Sequence, residues 1–244
     1  MERCDFVNDR LRLIQQTDGL TFGTDALLLA GYINGKYGRG CEFGSGSGII
    51  SMLLLTREKV KETVALEVQE EYAILSRRNA ELNGLDGRMQ VVHSDIREYR
   101  GEGEFDIIYT NPPYMKTSAG KTNALEKKNI ARHEVCGDIY DFCEAARKML
   151  KYGGCFAAVY RTDRLIDIID AMRKNKIEPK RITFVHADTE SEPSMALIEG
   201  KAGGKCGLTV TRPLIIYTDK SHKSYSEDMN YIMENGSFPS AYKR

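Results

Sequence analysis

Residues 41–50, "CEFGSGSGII", place three glycines between a short apolar run and a longer one. Glycine allows sharp turns and lets a ligand approach the main chain, and the start of a helix offers unpaired N–H groups. The stretch therefore predicts a strand, a ligand-binding turn at Gly44, Gly46 and Gly48, and then a helix. Its GxGxG spacing differs from the GxGxxG pattern typical of dinucleotide sites.

Short apolar runs alternate with longer amphipathic runs around this turn. The predicted strands are residues 40–43, 63–68, 89–94, 105–110, 155–160, 181–187 and 194–200, with a last extended run at 208–218. The predicted helices are residues 49–59, 70–84, 138–153 and 162–175, the third capped by Asp138 and ended by Gly153. Most of the first five strands lack polar alternation, as strands covered on both faces do. This order predicts an α/β fold with a doubly wound, mostly parallel sheet and a ligand crevice at the carboxyl ends of its strands.

The composition is typical of a globular protein with one substantial core. Of the 244 residues, 41% are hydrophobic and 29% are charged. The chain has no apolar run of 18 residues, and its first ten residues lack the apolar segment of a signal peptide. We therefore expect a cytoplasmic protein without a membrane span.

The six cysteines form no CxxC pair, so we predict reduced thiols and no metal site.

Acidic residues stand at the ends of the next two predicted strands. Glu67 lies 19 residues after Gly48, and Asp95 and Ile96 follow the third strand. At the carboxyl edge of a sheet, an acidic side chain can accept both hydroxyls of a ribose. Two such acids beside a glycine loop favour a cofactor that contains adenosine. Solvated acids at strand ends are the alternative.

The fourth predicted strand ends in "NPPY", residues 111–114. Neither Pro112 nor Pro113 can donate a ladder hydrogen bond, so the strand must end at Asn111 in a stiff turn. The Asn111 amide oxygen and the Pro112 carbonyl can then point at one spot, with Tyr114 as a wall. Two fixed acceptors suit a planar amine such as N6 of adenine, because they also stabilise the positive charge gained on alkylation. A turn that only terminates a strand is the alternative.

Together these motifs resemble those of a known group of enzymes. "ExGSGSG" followed by "NPPY" is similar to the Rossmann-like class I methyltransferases that modify planar amino groups with S-adenosylmethionine. Within that class, the chain resembles the bacterial tRNA1(Val) adenine-N6 methyltransferases over almost its whole length. The further segments that carry the resemblance are "GLTFGTDALLLAGYI", "NIARHE", "GGCFAAVYRTDRL" and "KAGGKCGLTVTRPLIIY". The resemblance implies a seven-stranded sheet with an antiparallel edge and N6-methylation of tRNA, at adenine 37 next to the anticodon of a valine tRNA.

The resemblance also implies roles for individual residues. The implied S-adenosylmethionine site contains Asp25, Glu42, Gly44, Gly46, Gly48, Glu67, Asp95, Ile96 and Asn111. In it, Glu67 binds the ribose, Asp95 with Ile96 binds the adenine, and Asp25 closes the site near the cofactor amino group. Asn111, Pro112, Pro113 and Tyr114 take the target base. We expect a single domain over residues 1–244, with an N-terminal segment (1–38) over the cofactor site and a polar C-terminal tail (219–244).

The charge distribution favours a polyanionic substrate. Residues 1–110 contain 13 Lys and Arg against 18 Asp and Glu, and residues 111–244 contain 22 against 17, so the two halves carry −5 and +5. A base inside folded RNA is reached only by turning it out of its stack, and Tyr114 can replace the lost stacking. The residues predicted to bind flanking phosphates are Lys116, Lys121, Lys127, Lys128 and Arg132. A charged, solvated loop is the alternative.

Other functions remain open on the sequence alone. A protein-glutamine N5-methyltransferase or an RNA guanine-N2 methyltransferase also presents a planar amine to "NPPY", although the former group carries a long helical domain before its glycine loop. Here only about forty residues precede that loop. A nicotinamide-dependent oxidoreductase is disfavoured by the GxGxG spacing, and an RNA-binding module without activity predicts no cofactor uptake. The sequence does not distinguish a monomer from a weak homodimer.

Overall fold

A computed structural model describes residues 2–16, 23–100, 105–112 and 137–243. Within these ranges the strands are β1 (Glu2–Asn8), β2 (Leu11–Gln16), β3 (Tyr37–Phe43), β4 (Val60–Glu67), β5 (Met89–His93), β6 (Phe105–Thr110), β7 (Leu150–Arg161), β8 (Ile177–His186), β9 (Pro193–Ala202), β10 (Thr209–Val210) and β11 (Leu214–Ile215). The helices are α1 (Thr24–Tyr32), α2 (Ile49–Thr56), α3 (Glu70–Leu82), α4 (Ile139–Met149), α5 (Leu165–Lys174) and α6 (Glu227–Asn235), with 3-10 turns at Thr162–Arg164 and Ser240–Tyr242.

The large sheet confirms the predicted α/β architecture. Its described strands follow the order β10-β8-β9-β7-β6-β3-β4-β5, and β11 also pairs with β8. All neighbours are parallel except β9, which is antiparallel to both β7 and β8. The seven predicted strands are therefore present, and the antiparallel pairing lies at one end of the sheet. The two strands of two residues each, β10 and β11, extend that end.

Helices cover both faces of this sheet because its strands are apolar on both sides. One core cluster includes Leu29 of α1, Leu53 of α2 and Ile232 of α6, and the other includes Phe142 of α4 and Ile168 of α5. No helix among the described residues is long and apolar enough to cross a membrane.

Helix α4 begins as predicted but ends earlier than predicted. The Asp138 carboxylate accepts hydrogen bonds from the N–H groups of Tyr140 and Asp141 in a capping box. The predicted end at Gly153 is wrong, because Leu150 already has an extended backbone and pairs with Phe105 of β6. Sheet pairing thus replaces the last helical turn that local preference alone would allow.

The run at 208–218 does not form one strand. Only Thr209–Val210 and Leu214–Ile215 pair with β8, in two separate short strands. Pro213 lies between them and has no N–H to donate to the sheet. The prediction of one extended strand is therefore wrong at its centre.

The predicted polar tail at 219–244 is instead folded on the core. Ser226 caps α6 by accepting from the Met229 N–H, and Gly236 ends the helix with a φ of +62°. The side chains of Met229, Ile232, Phe238 and Tyr242 are buried. Spacing of three between residues 229 and 232 puts both on one helical face, which explains why this end of the chain packs rather than remaining solvated.

The N-terminal hairpin of β1 and β2 packs on α3 through two asparagines. Asn79 lies on α3 and Asn83, four residues later, caps its end. Each exchanges two hydrogen bonds with the backbone of β2, at Ile14 and Arg12 respectively, over 2.7 to 3.1 Å. Asn79 Nδ2 also donates to the Ser47 carbonyl at 3.0 Å. One buried side chain thus connects the hairpin to the glycine turn. The segment predicted to cover the site is residues 1–38, and of these residue 1 and residues 17–22 lie outside the described residues.

Candidate active site

The carboxyl ends of four parallel strands meet at one edge of the sheet, which we call the carboxyl edge. Phe43 of β3 is in register with Thr110 of β6 on one side and with Leu66 of β4 on the other. Glu67 is in register with His93, the last residue of β5. The topology therefore brings the glycine turn, Glu67, the Asp95 segment and Asn111 together, as predicted from their positions after strands.

The glycine turn leaves open space on its surface. Gly44 and Gly46 have φ values of +68° and +54°, and a Cβ added at either would meet no atom within 4 Å. The turn is held by hydrogen bonds from the Gly44 and Ser45 N–H groups to the Leu66 carbonyl, at 2.9 and 3.0 Å. Its backbone is thus fixed while two of its glycines present bare main chain to a ligand.

Gly48 serves a different purpose in the same turn. Its φ is +82°, and an added Cβ would lie 2.5 Å from Ser76 Oγ and 2.7 Å from Met89 Cε. These atoms belong to α3 and β5, so glycine is required here for close packing of the start of α2. The role of Gly48 toward the cofactor stays a prediction.

Glu42 lies beneath the turn in a buried polar chain. Its carboxylate accepts hydrogen bonds from the Ser51 N–H at 3.0 Å and from Ser51 Oγ at 2.5 Å. Ser51 Oγ also contacts the Tyr109 hydroxyl at 2.8 Å, which in turn lies 2.8 Å from Thr63 Oγ1. Burial, with 1% of Glu42 exposed, raises the pKa of its carboxyl to about 8. Glu42 is therefore largely neutral at pH 7.

Glu67 has a fixed orientation at the end of β4. One carboxylate oxygen accepts from the Gly46 N–H at 2.8 Å and the other from the Gln69 N–H at 2.9 Å. Each oxygen of a carboxylate has more than one lone-pair site, so these bonds leave capacity for hydroxyl donors. The side chain predicted to bind ribose is thus held by the turn that is predicted to bind the rest of the cofactor.

Asp95 and Ile96 lie on the next segment of the same edge. Arg97 donates to both Asp95 carboxylate oxygens through Nε at 3.0 Å, and its guanidinium lowers the pKa of that carboxyl. Ile96 is buried against the core cluster that contains Phe43. The structure therefore places a buried apolar side chain, Ile96, next to an acid whose carboxylate is oriented by Arg97.

Asn111 is held by a residue far away in sequence. Its Nδ2 donates to the Asp25 carboxylate at 2.9 Å, although 86 positions separate the two residues. Asp25 lies in the first turn of α1, and α1 packs against α2, which starts from the glycine turn. Since the amide donates to Asp25 through nitrogen, its oxygen is the atom that offers acceptor lone pairs elsewhere. Asp25 thus orients the asparagine that the sequence predicts to be catalytic.

Several predicted site residues fall outside the described residues. They are Pro113, Tyr114, Lys116, Lys121, Lys127, Lys128 and Arg132. Pro112, the last described residue before them, is buried and follows directly on Asn111. The contacts with a base and with phosphates that the sequence analysis assigned to the residues outside the described ranges stay predictions.

A family model for the methyltransferase small domain matches residues 16–175. The match includes β3 to β7 and every described residue of the predicted site. The chain belongs to this family. It is a methyltransferase that depends on S-adenosylmethionine.

Curated relatives and solved structures agree with this family. A protein of Pedobacter heparinus, named tRNA1(Val) (adenine(37)-N6)-methyltransferase, is 28% identical over 188 residues, which are 76% of this chain and 79% of the relative. A protein of the same name from Phocaeicola vulgatus is 26% identical over 203 residues, 81% and 86% of the two chains. The crystal structure of a predicted O-methyltransferase from Agrobacterium tumefaciens superposes with a TM-score of 0.71 at 22% identity, over 88% of this chain and 98% of that one. The last likeness shows the fold alone.

The residues of this methyltransferase fit an adenosylated cofactor. Two glycines face open space, and Ser45 Oγ is buried without a hydrogen-bond partner among the described residues. A buried polar atom without a partner costs stability unless a ligand satisfies it. Gly44, Gly46, Ser45 and Glu67 would hold the cofactor, which supplies an electrophilic methyl group when bound.

Sequence reasoning missed the residues that support this site. Ser51 and Tyr109 were assigned only to an apolar helix and an apolar strand, yet they bind Glu42 directly or through one hydroxyl. For Ser51 the available signal was a single polar residue inside the apolar run at residues 49–55. Within the described ranges no cluster of three His, Cys, Asp or Glu side chains is arranged to hold a metal ion.

Proposed function

We propose that this methyltransferase transfers a methyl group to N6 of an adenine in tRNA, at adenine 37 next to the anticodon of a valine tRNA. The observation that supports it most is the hydrogen bond from Asn111 Nδ2 to Asp25, at 2.9 Å. It sets an acceptor oxygen at the carboxyl edge, next to the glycine turn. The relatives named for this reaction align over more than 70% of the chain.

The chemistry of an exocyclic amine explains why a fixed acceptor matters. The N6 lone pair of adenine is delocalised into the ring, so the free amine is a poor nucleophile. An acceptor that binds an N6–H group draws the nitrogen toward tetrahedral geometry and stabilises the positive charge that develops on it. Asn111 performs this task without a strong base, because the hydrogen bond to Asp25 fixes which end of its amide is the acceptor.

The transfer step conserves atoms and electrons in a simple way. The N6 lone pair forms the new bond to the methyl carbon, and the carbon–sulfur bond breaks with its electrons on sulfur. N6 then loses one proton to solvent. The protein contributes orientation, since the Glu67 and Asn111 side chains are both fixed before the reaction, which lowers the entropic cost of alignment.

The test is methylation of total tRNA with a labelled methyl donor, followed by digestion to nucleosides and mass spectrometry. The expected product is N6-methyladenosine, and a valine tRNA transcript with guanine at position 37 should accept no label. Label in N2-methylguanosine, or in a glutamine side chain of a protein substrate, would contradict the proposal. The Asn111→Ala variant serves as the inactive control.

A further inference from the structure

The chain segment after β11 contains three aromatic rings in one stack. Tyr217 and Tyr225 form an antiparallel bridge with ring centroids 5.3 Å apart, and the His222 imidazole lies 4.5 Å from the Tyr217 ring at 17°. We call residues 217–225 the aromatic loop. Tyr217 packs on the core, whereas Tyr225 is 39% exposed and the His222 side chain is 46% exposed. The Tyr217 ring, which both other rings contact, is held by the core, and the Tyr225 and His222 rings reach solvent.

The aromatic loop lies at the carboxyl edge. β11 runs parallel to β8, and the Tyr217 N–H donates to the Ala187 carbonyl, just past the end of β8, at 2.8 Å. β8 runs in the same direction as β6, because β9 is antiparallel to both β7 and β8. β11 pairs with β8 on the side away from β9, so four strand intervals separate β11 from β6, which amounts to about 19 Å. The loop and Asn111 thus face the same edge.

The fold holds the exposed imidazole in place at a cost in backbone strain. His222 has a φ of +53°, a left-handed conformation that non-glycine residues adopt rarely and that clusters at functional sites. Its Nε2 lies 3.1 Å from the carboxylate of buried Asp188, which also accepts from Ser191 Oγ at 2.8 Å. The contact with His222 lowers the pKa of the Asp188 carboxyl to about 2. A buried acid thus positions a ring that packs only partly on the protein.

Basic residues accompany these rings. Lys220 and Lys223 lie on either side of His222 and are exposed. Lys220 pairs with Glu190 at 2.8 Å, and Lys223 forms no salt bridge with any residue in the described ranges. Exposed rings interleaved with ammonium groups suit single-stranded nucleic acid, because every base has a face for stacking and every nucleotide a phosphate.

We propose that the aromatic loop binds the RNA substrate, with an unpaired base near the modified adenine stacked on Tyr225 and a neighbouring phosphate on Lys223. The identity of this RNA as tRNA rests on the proposed function. An anticodon loop of unpaired nucleotides that places one base at Asn111 spans the separation of about 19 Å between Asn111 and the aromatic loop.

The experiment compares tRNA binding and methylation across three tyrosine variants. Tyr225→Ala should weaken tRNA binding about tenfold and raise KM for tRNA accordingly, while leaving kcat and cofactor affinity unchanged. Tyr225→Phe keeps the ring and should bind like the wild type. Tyr152→Ala is the matched control, because Tyr152 is an exposed tyrosine near the start of β7, at the edge of the sheet opposite to the carboxyl edge. Lys223→Ala should reduce the slope of log K against log salt by about 0.7.

The outcomes separate this inference from the proposed function. Normal tRNA affinity in Tyr225→Ala, or an equal loss in Tyr152→Ala, overturns the docking surface even if adenine is methylated. A wild-type protein that binds tRNA through Tyr225 but methylates no adenine refutes the proposed reaction and supports the surface. A wild-type protein without RNA affinity refutes both. Equal thermal unfolding of the three variants and the wild type excludes misfolding as the cause.

Discussion

The carboxyl edge of the sheet differs between its two ends. Between β5 and β6 its polar side chains are enclosed, as in Glu67, which is 4% exposed and accepts hydrogen bonds from two backbone N–H groups. Beyond β8 the same edge carries exposed rings and lysines in the aromatic loop. A small cofactor needs fixed groups inside protein, whereas a polymer needs rings and charges that it can reach from outside. One sheet thus provides both kinds of surface side by side.

The largest effect is expected at Asn111, in the enclosed part. Asn111→Ala removes the acceptor for the target amine and should lower kcat about 10³-fold, with cofactor affinity nearly intact. Single-turnover methylation and calorimetry with S-adenosylmethionine measure the two quantities. Asn235→Ala, at an exposed helix end, is the control that should behave like the wild type. Undiminished turnover in Asn111→Ala would remove its assigned role.

Asp25→Asn should produce the second-largest effect. An asparagine at 25 can donate to the Asn111 oxygen, which would turn the amide around and present nitrogen to the substrate. We expect kcat to fall about 10²-fold with little change in the KM for S-adenosylmethionine. A selective rise in that KM would instead support the role of Asp25 next to the cofactor amino group that the family resemblance implies.

Gly46 and Gly48 of the turn offer a matched pair of variants. Gly46→Ala adds a methyl group to open space. Because the backbone at this position is left-handed, the change should lower the unfolding free energy by about 1 kcal/mol, and it should also weaken cofactor binding. Gly48→Ala has the same backbone strain, and its added methyl group would also clash with Ser76 and Met89. Its unfolding free energy should therefore fall by roughly 2–4 kcal/mol. Urea unfolding of both variants provides the comparison. Equal losses would mean that the packing at Gly48 yields easily.

The last prediction concerns the pH dependence of stability. The pKa of Glu42 is about 8 in the folded protein, above its ordinary value of 4.5. The folded state therefore holds a proton that the unfolded state releases, and the unfolding free energy falls as the pH rises from about 4.5 through about 8. Glu42→Gln should flatten this slope by up to about 1.4 kcal/mol per pH unit. An identical slope in both proteins, from urea unfolding between pH 5 and 8, would contradict the buried neutral state.

Local residue properties explain which features the sequence predicted. Glycine and proline act on their own backbone, so the turn at 44–48 and the end of β6 just before Asn111 follow from the residues themselves. The seven long strands were found within a few residues, because apolar runs of that length have few other uses in a globular chain. The end of α4 and the break at Pro213 were missed, since sheet pairing with distant strands decided both.

The sequence by itself determined the alternation of strands and helices, the bare glycine turn and the acids and asparagine that follow the strands. Only the tertiary structure decided that Asp25 orients Asn111, that Ser51 and Tyr109 hold Glu42, and that the C-terminal segment packs on α1 while the aromatic loop stays exposed. The physical reason is distance along the chain. Backbone preferences extend over a few residues, whereas these contacts join residues whose proximity depends on how the whole sheet is assembled.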